Sequence, residues 1–178
     1  MCSYRHVKKS LTKAIMYASA MFALAVLLSQ CSSSKHIDWL YIIPDNYQGF
    51  LVIKYECQNG KPLVIKDGEI QVEFNADGTF CTSDKFSLTD GQDFAQTKSS
   101  QPVRVVGSPW NQKGYALTGG STLTIGGNTM RNPSNKDFTF SIWWAGDMEY
   151  LASIRNEAAY AEGLDEFLES RFGVPRVR

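Results

Sequence analysis

The sequence predicts a mainly-β domain, an antiparallel β-sandwich of the transthyretin or immunoglobulin kind, closed by a C-terminal amphipathic helix. Three observations predict it. Short runs with a two-residue alternation recur between residues 38 and 147, separated by clusters of Gly, Asn, Pro and Asp. About seven such runs without intervening helical stretches form the pattern of a sandwich rather than of a doubly wound α/β fold. After residue 147 the apolar period lengthens to three and four residues, which is helical spacing.

Taken in order, the first clear strand is "FLVIKYEC" (50–57), with Leu51, Ile53, Tyr55 and Cys57 on one face and Phe50, Val52, Lys54 and Glu56 on the other. Its first half is apolar on both sides, so both sides are expected to be covered. "IPDNYQG" (43–49) leads into it as a structural corner. Pro44 presets the turn, Asp45 or Asn46 can bond the local backbone, and Gly49 allows a positive φ. Tyr47 can bury its ring there while its hydroxyl stays bonded. Asn59-Gly60 predicts a tight hairpin returning as "LVIK" (63–66), ended by Asp67-Gly68. "EIQVEFN" (69–75) alternates, with Ile70, Val72 and Phe74 inward. "NADG" then predicts a second hairpin into "TFCTS" (79–83), with Phe80 opposite Phe74 and Cys81 pointing outward.

Residues 84–102 are polar and turn-rich and read as a surface loop with at most a short strand. "VRVV" (103–106), "GYALT" (114–118) and "STLTI" (121–125) read as separate short strands, and 126–137 as a loop. "FTFSIWW" (138–144) is the last strand, with Phe138, Phe140, Ile142 and Trp144 on one face and Thr139, Ser141 and Trp143 on the other. From Met148 to Phe172 the apolar residues Leu151, Ile154, Ala158, Ala161, Leu164, Phe167, Leu168 and Phe172 define the helix. An interruption is expected near Gly163, and Gly173 and Pro175 are stop signals.

Residues 1–30 read as a signal peptide. Arg5, Lys8, Lys9 and Lys13 form a basic segment, and the apolar run "AIMYASAMFALAVLL" (14–28) follows. That run is short for a membrane span, which needs about 20 residues, although an uncleaved anchor is the competing reading. The ending "LLSQC" (27–31) resembles a bacterial lipoprotein signal, in which cleavage leaves Cys31 as the lipidated, diacylglyceryl- and palmitate-type N-terminus. Gln30 departs from the small residue usual before that cysteine. Several acyl chains on one residue give stable anchoring where one would be marginal. Residues 31–37 then act as acylated cysteine and flexible tether, 38–147 as the sandwich, and 148–178 as the helical segment.

The whole chain carries 18 basic and 18 acidic residues. The first 31 residues hold four of the basic ones and no acid, leaving a mature net charge of −4. A mildly acidic domain without a basic run offers no footprint for nucleic acid. The expected contact with the membrane is therefore the N-terminal lipid alone, and the expected partner an envelope protein or glycan. With Cys2 in the signal and Cys31 lipidated, Cys57 and Cys81 remain in an oxidising compartment, where a disulfide is open to them. The strand reading puts the two on different faces, and the pairing stays undecided at this level.

"IPDNYQGFLVIKY", "GKPL" and "DGEIQVEFNADGTFCTSD" resemble the exported bacterial domain of unknown function numbered 6843, whose members open on an "iPegYxG" turn into a hydrophobic strand. The resemblance covers residues 39–84, with a looser echo in "FTFSIWWAGDMEY". It implies a secreted or lipid-anchored protein with a transthyretin-like sandwich and brings no catalytic residues.

Catalytic motifs are not evident. His6 lies in the signal and His36 in the tether, so a serine-type triad or a histidine zinc site lacks its members. Gly119-Gly120 and Gly126-Gly127 read as loops, not phosphate cradles. Asp147 with Glu149, or Glu162 with Asp165, could be drawn as a carboxylate pair, but a solvated helix face explains them better. "DGQD" (90–93) lacks the ligand alternation of a calcium loop. No cofactor, metal or enzyme activity is expected; the alternative is an envelope glycan- or peptide-hydrolase, or its accessory, using carboxylates. Trp143 and Trp110 are the candidate ligand-facing aromatics, with Trp39 a weaker one. Against this, the helix needs somewhere to put Phe167, Leu168 and Phe172, and covering the Trp143 face would bury that indole.

Overall fold

The computed structural model describes residues 36–155 and 158–176. The predicted signal peptide and Cys31 lie outside these residues. Among the described residues, ten strands form two five-stranded sheets, followed by two helices. The first sheet has the order β3 (Val64–Lys66), β4 (Glu69–Glu73), β1 (Asp38–Ile43), β6 (Asp93–Thr97), β7 (Pro102–Val103). The second runs β5 (Thr79–Cys81), β2 (Gly49–Lys54), β10 (Phe138–Asp147), β9 (Tyr115–Ile125), β8 (Val105–Val106).

The mainly-β fold with C-terminal helices is the expected class, but both sheets are mixed rather than antiparallel. β1 pairs in parallel with β4 and β6, and β2 with β5. For the β1–β4 and β2–β5 pairs the cause lies in two corners. Residues 44–48 carry the chain from β1 in the first sheet to β2 in the second, and residues 74–78 carry it from β4 to β5 in the same way. Two like-directed arches laid side by side must pair in parallel in both sheets. The expected hairpin between β4 and β5 is therefore an arch, although Gly78 does take the left-handed conformation, at φ +79°. Phe74 and Phe80 both reach the same core from different sheets.

Asn59-Gly60 makes no hairpin either. Gly60 closes a turn on the Cys57 carbonyl and lies so close to the chain at Ser83 that an added Cβ would come within 2.5 Å of its nitrogen. The two-residue hairpin is at Asp67-Gly68, both with positive φ, joining β3 to β4. Residues 93–97, expected in a loop, form an interior strand. A single 11-residue β9 replaces the two strands expected around Gly119-Gly120.

Two apolar layers result. Between the sheets lie Tyr41, Ile43, Leu51, Ile53, Val72, Phe74 and Trp143. The outer face of the second sheet presents Phe50, Val52, Phe140, Ile142 and Trp144 to helices α1 (Met148–Ile154) and α2 (Ala158–Phe172), which supply Leu151, Leu164, Phe167 and Leu168. The helices thus cover the Trp144 face, whereas the sequence pointed to the Trp143 face. Trp143 is buried all the same, by the opposite sheet. The connection is short: Asp147 ends β10 and caps α1, accepting from the Tyr150 N–H at 2.8 Å. Gly163 does not interrupt α2; it faces the Phe50 ring, where a Cβ would make an ordinary contact at 3.6 Å. Helix α2 ends as expected, with Gly173 at φ +66° and the Val174 N–H reaching the Leu168 carbonyl.

The 43–49 corner is tied on every side. Tyr47 donates its hydroxyl to the Phe50 carbonyl at 2.5 Å and lies 3.4 Å from that of Asp77 at the tip of the second arch. Asp45 accepts from the Ser99 N–H and hydroxyl, and the Tyr115 hydroxyl donates to the Tyr47 carbonyl. Cys57, three residues beyond β2, and Cys81, the last residue of its parallel partner β5, form a disulfide. Antiparallel logic put these side chains on different faces; parallel pairing brings their Cα atoms to 5.9 Å.

Candidate ligand-binding site

A cavity of about 220 Å³ opens between the sheets where β1, β6, β9 and β10 face the 86–91 loop. Its residues come from five separate stretches of the chain, so only the folded sandwich assembles it. Alternation along β1 turns Trp39 and Tyr41 inward, and alternation along β10 does the same for Ser141 and Trp143. Trp39 and Tyr41 stack with centroids 6.1 Å apart, and Tyr41 meets Trp143 at 4.7 Å, giving one continuous aromatic wall. Tyr55 and Phe86 form a second wall, edge to face at 5.3 Å.

Polar groups are interleaved with the rings. The Trp39 indole donates to Thr89 Oγ1 at 2.7 Å, Tyr41 donates to Asp93 Oδ1 at 3.2 Å, and the Tyr55 and Ser141 hydroxyls share a bond of 3.1 Å. Burial, and next the charge of Asp93, holds the Tyr41 hydroxyl well above the ordinary tyrosine value, so it remains a donor. Burial also raises Tyr55, although its bond with Ser141 opposes this. Asp93 sits at the mouth, where desolvation pushes its carboxyl pKa up while the Tyr41 bond pulls it down. Trp143 is 6 % exposed, and its Nε1 has no hydrogen-bond partner.

Gly119 and Gly120 shape the cavity. They form a β-bulge in which both oppose Trp143, at φ +127° and +82°. A Cβ on Gly120 would lie 2.9 Å from the Trp143 ring, and one on Gly119 would lie 2.7 Å from the Ile142 carbonyl. Only glycine lets β9 pass the indole at this distance. A second cavity, of about 260 Å³, lies across the sheet beneath the helices. Its lining includes Thr118, Ile142, Trp144, Leu151 and Arg155, the residue before the undescribed 156–157.

Of the two tryptophans singled out from the sequence, Trp143 lines this cavity from a buried position, and Trp110 is 47 % exposed and does not line it. Trp39 contributes to its wall. Asp147 serves as a helix cap, and Asp165 pairs with Arg131 at 2.6 Å, linking α2 to the 126–137 loop. Among the described residues, no three His, Cys, Asp or Glu cluster to hold a metal. Sequence reasoning missed Tyr41, Tyr55, Asp93 and Ser141. Asp93 was hidden in a polar stretch, and the others had only their inward strand phase as a signal.

The stacked arches and the 43–49 corner fall within a recognised sequence pattern. Residues 35–94 match the model of a family of unknown function, DUF6843. The DUF6843 match spans β1 to β5 and enters β6. It therefore includes Trp39, Tyr41, Tyr55, Phe86 and Asp93 of the cavity, while Ser141, Trp143 and the glycine bulge lie beyond it. A search of curated proteins finds no significant match. Among solved structures, the chain is similar to a "Putative Lipoprotein from Bacillus anthracis", at 19% identity and a TM-score of 0.47, covering 76% of this chain and 96% of that one.

Proposed function

We propose that the protein is a lipid-anchored, non-catalytic β-sandwich module of the bacterial cell envelope that holds a ligand or partner. The observation that carries this reading is the inter-sheet cavity. Its walls are aromatic, and Tyr41, Tyr55, Ser141 and Thr89 are each bonded to a neighbour in the wall, an arrangement suited to holding a molecule rather than to moving protons. A carboxylate hydrolase needs two acids flanking the scissile bond. Asp93 is the one carboxylate lining this cavity among the described residues, which weighs against the hydrolase alternative.

Anchoring is supported by "LLSQC" and by the short, polar tether between Cys31 and β1. The mature charge of −4, with no basic run, supports an envelope protein or glycan partner over nucleic acid. Labelling wild type and Cys31→Ala with a radioactive fatty acid, followed by membrane fractionation, tests the anchor. Label and membrane retention should both vanish in the variant; a labelled alanine variant refutes the assignment. Crosslinking in intact envelopes and co-purification should recover a specific glycan or protein partner, and recovery of none would refute the binding role.

A further inference from the structure

The geometry points to the ligand class: we infer that the inter-sheet cavity is the binding site for one neutral, polyhydroxylated ring, a single sugar residue stacked on the Trp39–Tyr41–Trp143 wall. This rests on the binding-module reading above and deepens it. The volume of about 220 Å³ is below the ~300–1,000 Å³ that drug-sized ligands occupy, and so fits one ring rather than a chain.

The polar groups choose the chemistry. The buried Trp143 N–H has no partner and is a donor in search of an oxygen. Asp93 at the mouth accepts from Tyr41 through one oxygen and keeps acceptor capacity for a further hydroxyl, and Thr122 and the Tyr55–Ser141 pair can both donate and accept. A ring bearing several hydroxyls satisfies donor and acceptor together. A quaternary ammonium would suit the aromatic wall and Asp93 but would leave the Trp143 N–H unpaired. An anion would meet Asp93 with no lysine or arginine among the lining residues to offset it. The aromatic faces then take the apolar C–H face of the ring, and the glycine bulge holds the indole at the required depth.

The test titrates detergent-solubilised full-length protein with N-acetylglucosamine, glucose, glucuronate and choline, read by calorimetry and tryptophan fluorescence. At least one neutral sugar should bind. Trp143→Phe, which leaves a smaller aromatic ring and removes the N–H, should weaken it at least about tenfold. Trp110→Phe should leave binding unchanged. Asp93→Asn, at the exposed mouth, should also weaken it and serves if Trp143→Phe does not fold. Binding of choline or glucuronate alone overturns the ligand class and leaves the module reading standing. Equal sugar affinity in wild type, Trp143→Phe and Asp93→Asn overturns the site. Silence from all four probes, with an envelope partner still recovered, overturns the cavity assignment but not the binding role; silence in both overturns both.

Discussion

Replacing Gly78 by alanine tests whether the two arches are held as one joint. The residue sits at φ +79°, and an alanine there carries a conformational cost of about 1–2 kcal/mol. Its Cβ would fall inside contact distance of the Tyr47 hydroxyl and 2.5 Å from the Phe50 carbonyl. Tyr47 must then swing away and lose its 2.5 Å bond to that carbonyl, worth about 1 kcal/mol net. Partial exposure of the tyrosine ring adds about 1–2 kcal/mol. Together Gly78→Ala should lose about 3–5 kcal/mol, which lowers the midpoint of thermal unfolding by roughly 10 °C in a domain of this size. Urea unfolding followed by tryptophan fluorescence measures it, alongside Tyr47→Phe and the double variant. The double variant should lose about 1 kcal/mol less than the two single losses combined, because one clash partner is already gone. A Gly78→Ala loss below about 1 kcal/mol, or strict additivity, would refute the joint.

Two further outcomes are expected. Cys57→Ser with Cys81→Ser opens a loop with a sequence separation of 24 and should cost about 3 kcal/mol, seen as a lower urea midpoint; an unchanged midpoint would show that the bridge adds nothing. Burial raises Tyr47 from 10.0 to about 12 and lifts Tyr41, Tyr55, Tyr115 and Tyr160 as well. A raised folded pKa means that this stability is complete below pH 10 and is lost as the pH climbs toward 12, since the unfolded chain sheds these protons first. The urea midpoint should therefore fall across that window, and less steeply in Tyr47→Phe; a flat profile would contradict the desolvation.

Strand positions were legible where alternation met a partner on one face, as in β4, where Ile70 and Val72 are buried and Gln71 is not. Pairing was not legible, because Asn, Asp and Gly turn a chain equally well into a hairpin or an arch. "NADG" and "IPDNYQG" carry the same turn chemistry as Asp67-Gly68, and only the opposing sheet distinguishes them. β6 escaped notice because Ala95 is its one buried residue. The faces of β10 were told apart correctly, yet their coverings were exchanged. The Phe138–Trp144 row looked like the sandwich interior, but Asp147 turns the chain straight into α1, and the helices claim that row. Ser141 tolerates the inner side because Tyr55 bonds it. The cavity itself depends on this exchange, and the bulge that shapes it read as a strand break, since a glycine pair gives the same local signal either way.

The arches also set an order of events. β2 lies between β5 and β10, and its partner β10 arrives only after residue 138. A chain that emerges N-terminus first therefore presents Phe50 and Val52 to water long before their cover has been made. Contacts this distant in sequence make folding slow and leave strand edges open meanwhile. The segment matched by DUF6843 ends before β9 and β10 and so holds strands of both sheets but not the two longest strands, which are made last. On this topology, a chain truncated after β6 should aggregate rather than fold, and the first half of the molecule should need shelter until the second half has emerged.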